Sequence, residues 1–98
     1  MGLLVEYTVL EGMAGKQVQA LHTFIDGLKE MGDATYTYTA YETDDPTRFV
    51  AILEFDDEEA KHRFLNSEPF KQYRDGAKER FPGPPNATPI KRVGSSRD

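Results

Sequence analysis

Hydrophobic and polar positions along the chain follow two periods, one of two residues and one of three to four. Over residues 49–55, Phe49, Ala51, Leu53 and Phe55 share one face of a strand, and Val50 and Ile52 share the other, ahead of Glu54. Apolar residues on both faces predict a strand covered on both sides. Residues 3–10 repeat this pattern. Leu3, Val5, Tyr7 and Val9 face one way, and Leu4, Glu6, Thr8 and Leu10 the other, so the first half also reads as central. Residues 34–41 (ATYTYTAY) form a strand of high intrinsic propensity. Tyr36, Tyr38 and Ala40 share one face, and the more polar Thr35, Thr37, Thr39 and Tyr41 suit an edge. Residues 88–93 predict a last strand that Pro89 holds to an edge.

Between the strands the period lengthens. Within residues 16–31, Val18, Leu21, Ile25 and Leu28 recur at three and four residues, with Phe24 widening the stripe, which predicts a helix. Gly27 inside it costs about 1 kcal/mol relative to Ala and marks a close packing contact. Gly32 is placed to end the helix in a left-handed conformation. Asp56 and Glu59 have capping-box spacing for a second helix, within an acidic run that complements its dipole. Ala60, Phe64 and Ser67 follow at helical spacing. Ser67-Glu68-Pro69 predicts a local restart, because proline is tolerated in a first turn and not in a helix interior. Phe70, Tyr73, Ala77 and Phe81 form a second apolar stripe beyond it. Pro82-Gly83-Pro84-Pro85-Asn86 is a stiff loop, and residues 94–98 are expected to fray.

The order β-α-β-β-α-β predicts a ferredoxin-like α+β fold over residues 1–98 as a single domain. It has a four-stranded antiparallel sheet with two helices on one face, and strands one and three are the expected inner pair. Two helices cover only one face. At about 25 cal/mol per Å², leaving Val50, Ile52 and their neighbours in water is costly. A contiguous apolar patch of this kind marks an interface, so the open sheet face is expected to pair with a second copy in a two-fold homodimer.

Composition narrows the function classes. With 38% hydrophobic and 30% charged residues, the chain reads as a soluble globular protein. A formal net charge of -5 argues against general nucleic-acid binding. No run approaches the ~20 apolar residues of a membrane span, and the N-terminal residues lack a signal-peptide pattern. The absence of cysteine removes disulfides, thiol chemistry and thiolate metal sites. The expected location is the cytoplasm. His22 and His62 are the only histidines and lack paired-ligand spacing, so no metal site is expected.

Chemistry is expected in a pocket between sheet and helices. Tyr7, Tyr36, Phe49, Phe64, Phe70 and Tyr73 are the candidate substrate-binding residues. Two readings stand for them: aromatic side chains that fill a small core, or a flat slot for an aromatic, quinone-like or polycyclic ligand oriented by tyrosine hydroxyls. Tyr38 is the candidate catalytic tyrosine. His22, one turn before Ile25, is a candidate acid–base with a suitable unperturbed pKa. Arg74, four residues after Phe70, is a candidate for stabilising an anionic oxygen. The alternatives are a surface histidine and a solvated helix residue. Glu54, if buried, needs a partner, with Lys61, Arg63 and Arg74 as candidates. Asn66 is either a cap or a ligand contact.

Phe49, Glu54, Phe55, Asp57, Glu59, Ala60, Ser67 and Phe70, in the order strand, acidic cap, helix and Ser-x-x-Phe, resemble the antibiotic biosynthesis monooxygenase family of dimeric α/β-barrel proteins. Glu11-Gly12-Met13-Ala14-Gly15-Lys16 and Gly83-Pro84-Pro85 extend the resemblance over most of the chain. It implies a dimeric α/β barrel. It also implies oxygenation, without metal or flavin, of a small aromatic or quinol substrate that itself reacts with oxygen. The departures are specific. The chain has no tryptophan, and Phe64 stands where many members carry His, as they do again near Pro69. Haem-degrading relatives carry Trp at the Phe64 position, His at the Arg74 position and Asn at the Val5 position, so the resemblance does not carry haem degradation. Two alternatives use the same scaffold: a non-catalytic dimeric module for a small ligand or partner protein, and an isomerase or lyase governed by a single base.

Overall fold

The computed structural model describes residues 1–97. Its elements are β1 (Gly2–Thr8), α1 (Ala14–Met31), β2 (Tyr36–Glu42), β3 (Arg48–Phe55), α2 (Glu58–Leu65), α3 (Glu68–Asp75), α4 (Ala77–Arg80) and β4 (Asn86–Ile90). The strands form an antiparallel sheet in the order β2-β3-β1-β4. The two strands that are apolar on both faces are therefore the inner pair, and the Thr-rich β2 is an edge. β4 pairs with β1 alone, so Pro89 sits on an edge strand, where a missing N–H is tolerated. The architecture is the ferredoxin-like α+β arrangement.

Register assembles the core. Tyr7 lies opposite Phe49, Val5 opposite Ala51 and Tyr38 opposite Leu53. Phe49, Ala51, Leu53 and Phe55 are buried beneath the helices. Phe24 of α1 is the hub, with its ring centroid 4.7 Å from Tyr73, 4.9 Å from Tyr38 and 5.8 Å from Phe64. Each such pair adds about 0.5–1.5 kcal/mol beyond its buried area. Leu4, Val50 and Ile52 lie on the opposite sheet face, half-buried within a single chain.

The punctuation is local chemistry. Gly32, at φ 65°, ends α1 and donates to the Lys29 carbonyl. Ser67 caps α3, accepting from Phe70 N–H at 3.3 Å and donating to the Phe64 carbonyl at 2.7 Å, with Pro69 in the first turn. Gly27 does mark a close contact, since a Cβ there would stand 2.9 Å from Cγ of Pro69.

Several expectations need correction. The cap of α2 is Asp57, which accepts from Ala60 N–H at 2.9 Å, while Asp56 N–H donates to the Thr35 carbonyl. α1 begins at Ala14, not at residue 16, because Gln17 N–H already bonds the Met13 carbonyl. β4 spans Asn86–Ile90, so residues 91–93 lie beyond the ladder. A second break at Gly76 separates α3 from α4. Glu54 points to the helix-free face and pairs with Arg92 at 2.9 Å, not with Lys61 or Arg63 of α2 or Arg74 of α3. Arg63 instead bonds Asp33 and Thr35. Of the expected tail, residues 94–97 are exposed, and position 98 lies outside the described residues. Among the described residues no helix is long and apolar enough to cross a membrane.

Candidate functional site

Three tyrosine hydroxyls and one amide meet between the sheet and α1. Tyr7 comes from β1, Tyr38 from β2, Tyr73 from α3 and Gln17 from the start of α1. Gln17 is fully buried. Its Nε2 lies 2.8 Å from both Tyr7 Oη and Tyr73 Oη, and its Oε1 lies 2.7 Å from Arg80 Nε. Arginine has only donors to offer. Arg80 therefore fixes the amide: Oε1 accepts from the guanidinium, and Nε2 donates to the two tyrosine oxygens. The Tyr73 hydroxyl also lies close to those of Tyr7 and Tyr38. Burial, reinforced by the Tyr73 hydroxyl, pushes the Tyr7 and Tyr38 phenols far above their ordinary pKa. At neutral pH the Tyr7 and Tyr38 hydroxyls stay protonated, suited to donating hydrogen bonds and passing protons along.

Arg80 lies at the edge of this cluster, 9% exposed. It donates to the Gly76 carbonyl at 2.9 Å and the Tyr73 carbonyl at 3.2 Å. Its guanidinium stands over the rings of Tyr73 and Phe81, 5.2 and 5.5 Å from their centroids.

Beside the cluster, α1 and α3 enclose a groove of about 490 Å³. Ala20, Phe24 and Gly27 line its α1 side, Pro69 and Tyr73 its α3 side, and Arg80 also borders it. Glu30, Met31 and Glu68 form its other end.

Of the residues singled out from sequence, Tyr73 borders the groove, and Tyr7 and Tyr38 stand behind it. Phe49 and Phe64 are buried core residues, and Phe70 packs 5.2 Å from Phe64. Tyr36 is buried against Phe64, and its hydroxyl has no partner among the described residues. Burial raises its pKa, with the nearby Asp33 carboxylate adding to the shift. His22 is exposed on the other flank of α1, beside a small hollow with Tyr41, Glu42 and Phe49, and does not join the cluster. Arg74 is exposed, with its guanidinium over Phe70. Asn66 caps the C-terminus of α2 and donates to the His62 carbonyl at 2.8 Å. Among the described residues no three His, Asp or Glu side chains converge to hold a metal ion.

Sequence reasoning missed Gln17 and Arg80. Gln17 falls on the buried stripe with Leu21, Phe24 and Leu28, and a polar residue on such a stripe is a usable signal. Arg80 follows Gly76 by four residues, the spacing that lets it fold back across the glycine.

The fold matches a known class of small α+β domains. The antibiotic biosynthesis monooxygenase family model matches residues 1–76, and the chain belongs to that family. The matched span includes Tyr7, Gln17, Tyr38 and Tyr73 and ends before Arg80. No curated protein matches the sequence. Solved structures match closely in shape. A Nitrosomonas europaea protein of unknown function has a TM-score of 0.82 at 17% identity, over 97% of this chain and 90% of that one. A Pseudomonas aeruginosa protein has a TM-score of 0.80 at 19% identity, over 95% and 93%. A structure named antibiotic biosynthesis monooxygenase has a TM-score of 0.79 at 14% identity, over 95% and 98%. At these identities the likeness concerns the fold.

Proposed function

We propose that the protein is a cofactor-independent monooxygenase for a small aromatic or quinol-type substrate, held in the α1–α3 groove against Phe24 and Tyr73. The observation that carries this reading is a buried set of tyrosine hydroxyls adjoining a groove of about 490 Å³, within the usual range for small-molecule sites. Family membership supports oxygenation. For a quinol the step balances without any other reductant: quinol and dioxygen give hydroxyquinone and water. One oxygen atom enters the ring, the other leaves as water, and all four electrons come from the quinol. Tyr73 hydrogen-bonds the substrate oxygen, Gln17 holds Tyr73 in place, and Tyr7 and Tyr38 take part in proton movement behind it. His22 and Arg74 lie outside this cluster and have no direct part in this reading.

Oxygen uptake with a panel of hydroquinones tests the proposal. Uptake should fall in Tyr73→Phe and in Tyr38→Phe. No uptake by the unaltered protein, or undiminished uptake in both variants, refutes it. A second reading, a non-catalytic dimeric small-ligand-binding module, is favoured by the absence of a carboxylate or histidine from the hydroxyl cluster among the described residues. It predicts ligand-dependent thermal stabilisation without product.

The functional unit in either reading is a homodimer closed through the helix-free sheet face, and its proposed location is the cytoplasm. Leu4, Val50 and Ile52 are only half-buried within one chain, and Tyr41 beside them is 50% exposed. Light scattering at micromolar concentration should give twice the chain mass. A monomer would remove this part of the proposal.

A further inference from the structure

Arg80 carries a charge that the described residues do not neutralise. A buried cation is costly unless it is paired, yet among the described residues Arg80 forms no ion pair. Its bonds to Gln17, Gly76 and Tyr73 occupy three N–H groups of the five that a guanidinium offers. The place is built for it. A Cβ on Gly76 would stand 2.6 Å from Nη1 of Arg80, so the guanidinium lies where only a glycine leaves room.

Charge is polarised along the groove. Arg80 bonds Gln17, three residues before Ala20, and so marks the end near the start of α1. Glu30 and Glu68 mark the other end. Ala20 and Glu30 are ten positions apart on α1, about 15 Å along a helix axis. Between them the walls carry no charge: Phe24, Gly27 and Pro69 are apolar, and Thr23 and Gln72 are uncharged polar residues. An anionic group is attracted at one end and repelled at the other.

We infer that the Arg80 end of the groove binds the anionic oxygen, carboxylate or ionised phenol, of an elongated ligand whose uncharged apolar body runs past Phe24 and Pro69 toward Met31. Arg80 supplies a charge-assisted hydrogen bond to that oxygen, and Tyr73, which also borders the groove, supplies a second donor. The inference rests on the groove being the ligand site, as proposed above, and adds the charge and direction of the ligand.

Calorimetric titration with three non-reacting ligands tests it: 2-naphthoate, neutral 2-naphthamide, and 2-naphthol followed through its own ionisation. At least one anion should bind about tenfold tighter than the amide, the discrimination that one hydrogen bond to a charged group supplies. The arm that shows the preference, carboxylate or phenolate, identifies the source of the oxygen. The preference should vanish in Arg80→Gln. It should vanish also in Gly76→Ala, where the helical backbone accepts a Cβ but the guanidinium is displaced with its charge intact. Equal binding of anions and amide, or a preference kept in either variant, overturns the anion site while leaving the groove as ligand site. No binding of any of the three overturns both.

Discussion

Replacing Gln17 with leucine strikes the cluster at its most buried member. Leucine fills most of the same volume without a polar atom, so Gln17→Leu deletes the bonds to Tyr7, Tyr73 and Arg80 together. The two neutral bonds to Tyr7 and Tyr73 cost about 1 kcal/mol each. Arg80 keeps two carbonyl acceptors but loses the partner of Nε in a buried position, a further cost of about 1–3 kcal/mol. The total, about 3–5 kcal/mol, is a large share of the roughly 5–15 kcal/mol that holds a small domain folded. Urea unfolding followed by circular dichroism, at one fixed protein concentration, should show a lower midpoint with the slope unchanged. Adding Arg80→Met should restore part of the loss, with a coupling of about 1–3 kcal/mol, because no guanidinium is then stranded. A Gln17→Leu loss under about 1 kcal/mol, or strict additivity in the double variant, would refute the hydrogen-bonded cluster.

Four further outcomes follow from the same structure. Tyr36→Phe removes a buried hydroxyl without a partner among the described residues and should raise the melting temperature, with a gain of about 1 kcal/mol; a lower melting temperature would mean that the hydroxyl is bonded. Gly27→Ala places a Cβ 2.9 Å from Pro69, so it should destabilise the fold by about 1–3 kcal/mol despite the better helix propensity of Ala; a more stable variant would contradict that packing. Folding raises the pKa of Tyr7 and Tyr38, so their contribution is complete below the unfolded phenol value of about 10 and is lost as pH rises beyond it, when the unfolded chain releases protons that the folded one retains. The urea midpoint should therefore fall between pH 9 and 11 (roughly the range around that value) more steeply than in Tyr38→Phe, and equal slopes would deny the shift. Asp33 works in the opposite direction. Hydrogen bonds from Thr35 and then from Arg63 hold its carboxyl at about 2, so stability is lost as pH falls from the ordinary value of about 4 through that range. An Asp33→Asn variant should show a flatter acid limb.

The fold was legible because its causes are local or periodic. Alternation along β1 and β3 marked them as the inner pair, and Ser67-Glu68-Pro69 and Gly32 carry their caps and stops in their own chemistry. One-residue shifts arose where two residues offered the same group, as with Asp56 and Asp57. The site was legible only in part. Tyr7 and Tyr38 could be assigned to the helix-side face by parity, and Tyr73 by its place on the second apolar stripe. Gln17 and Arg80 meet 63 positions apart, a bond between polar side chains that leaves no periodic trace. Glu54 escaped its expected partners for a related reason: parity sends it to the sheet face opposite α2, where Arg92 meets it. His22 was close in sequence to the buried Leu21 yet lies on the outer flank of α1, because the buried stripe runs through Gln17, Leu21 and Phe24.

The central claim is that ligand chemistry belongs to the groove between α1 and α3, backed by the Arg80–Gln17–tyrosine cluster. Amide and arginine Nε–H NMR signals recorded during addition of 2-naphthoate test it most directly. Shifts should concentrate on Thr23, Gly27, Tyr73 and the Nε–H of Arg80, all at or bordering the groove. Largest shifts around His22 and Tyr41, or on the Val50 and Ile52 face of the sheet, would contradict it.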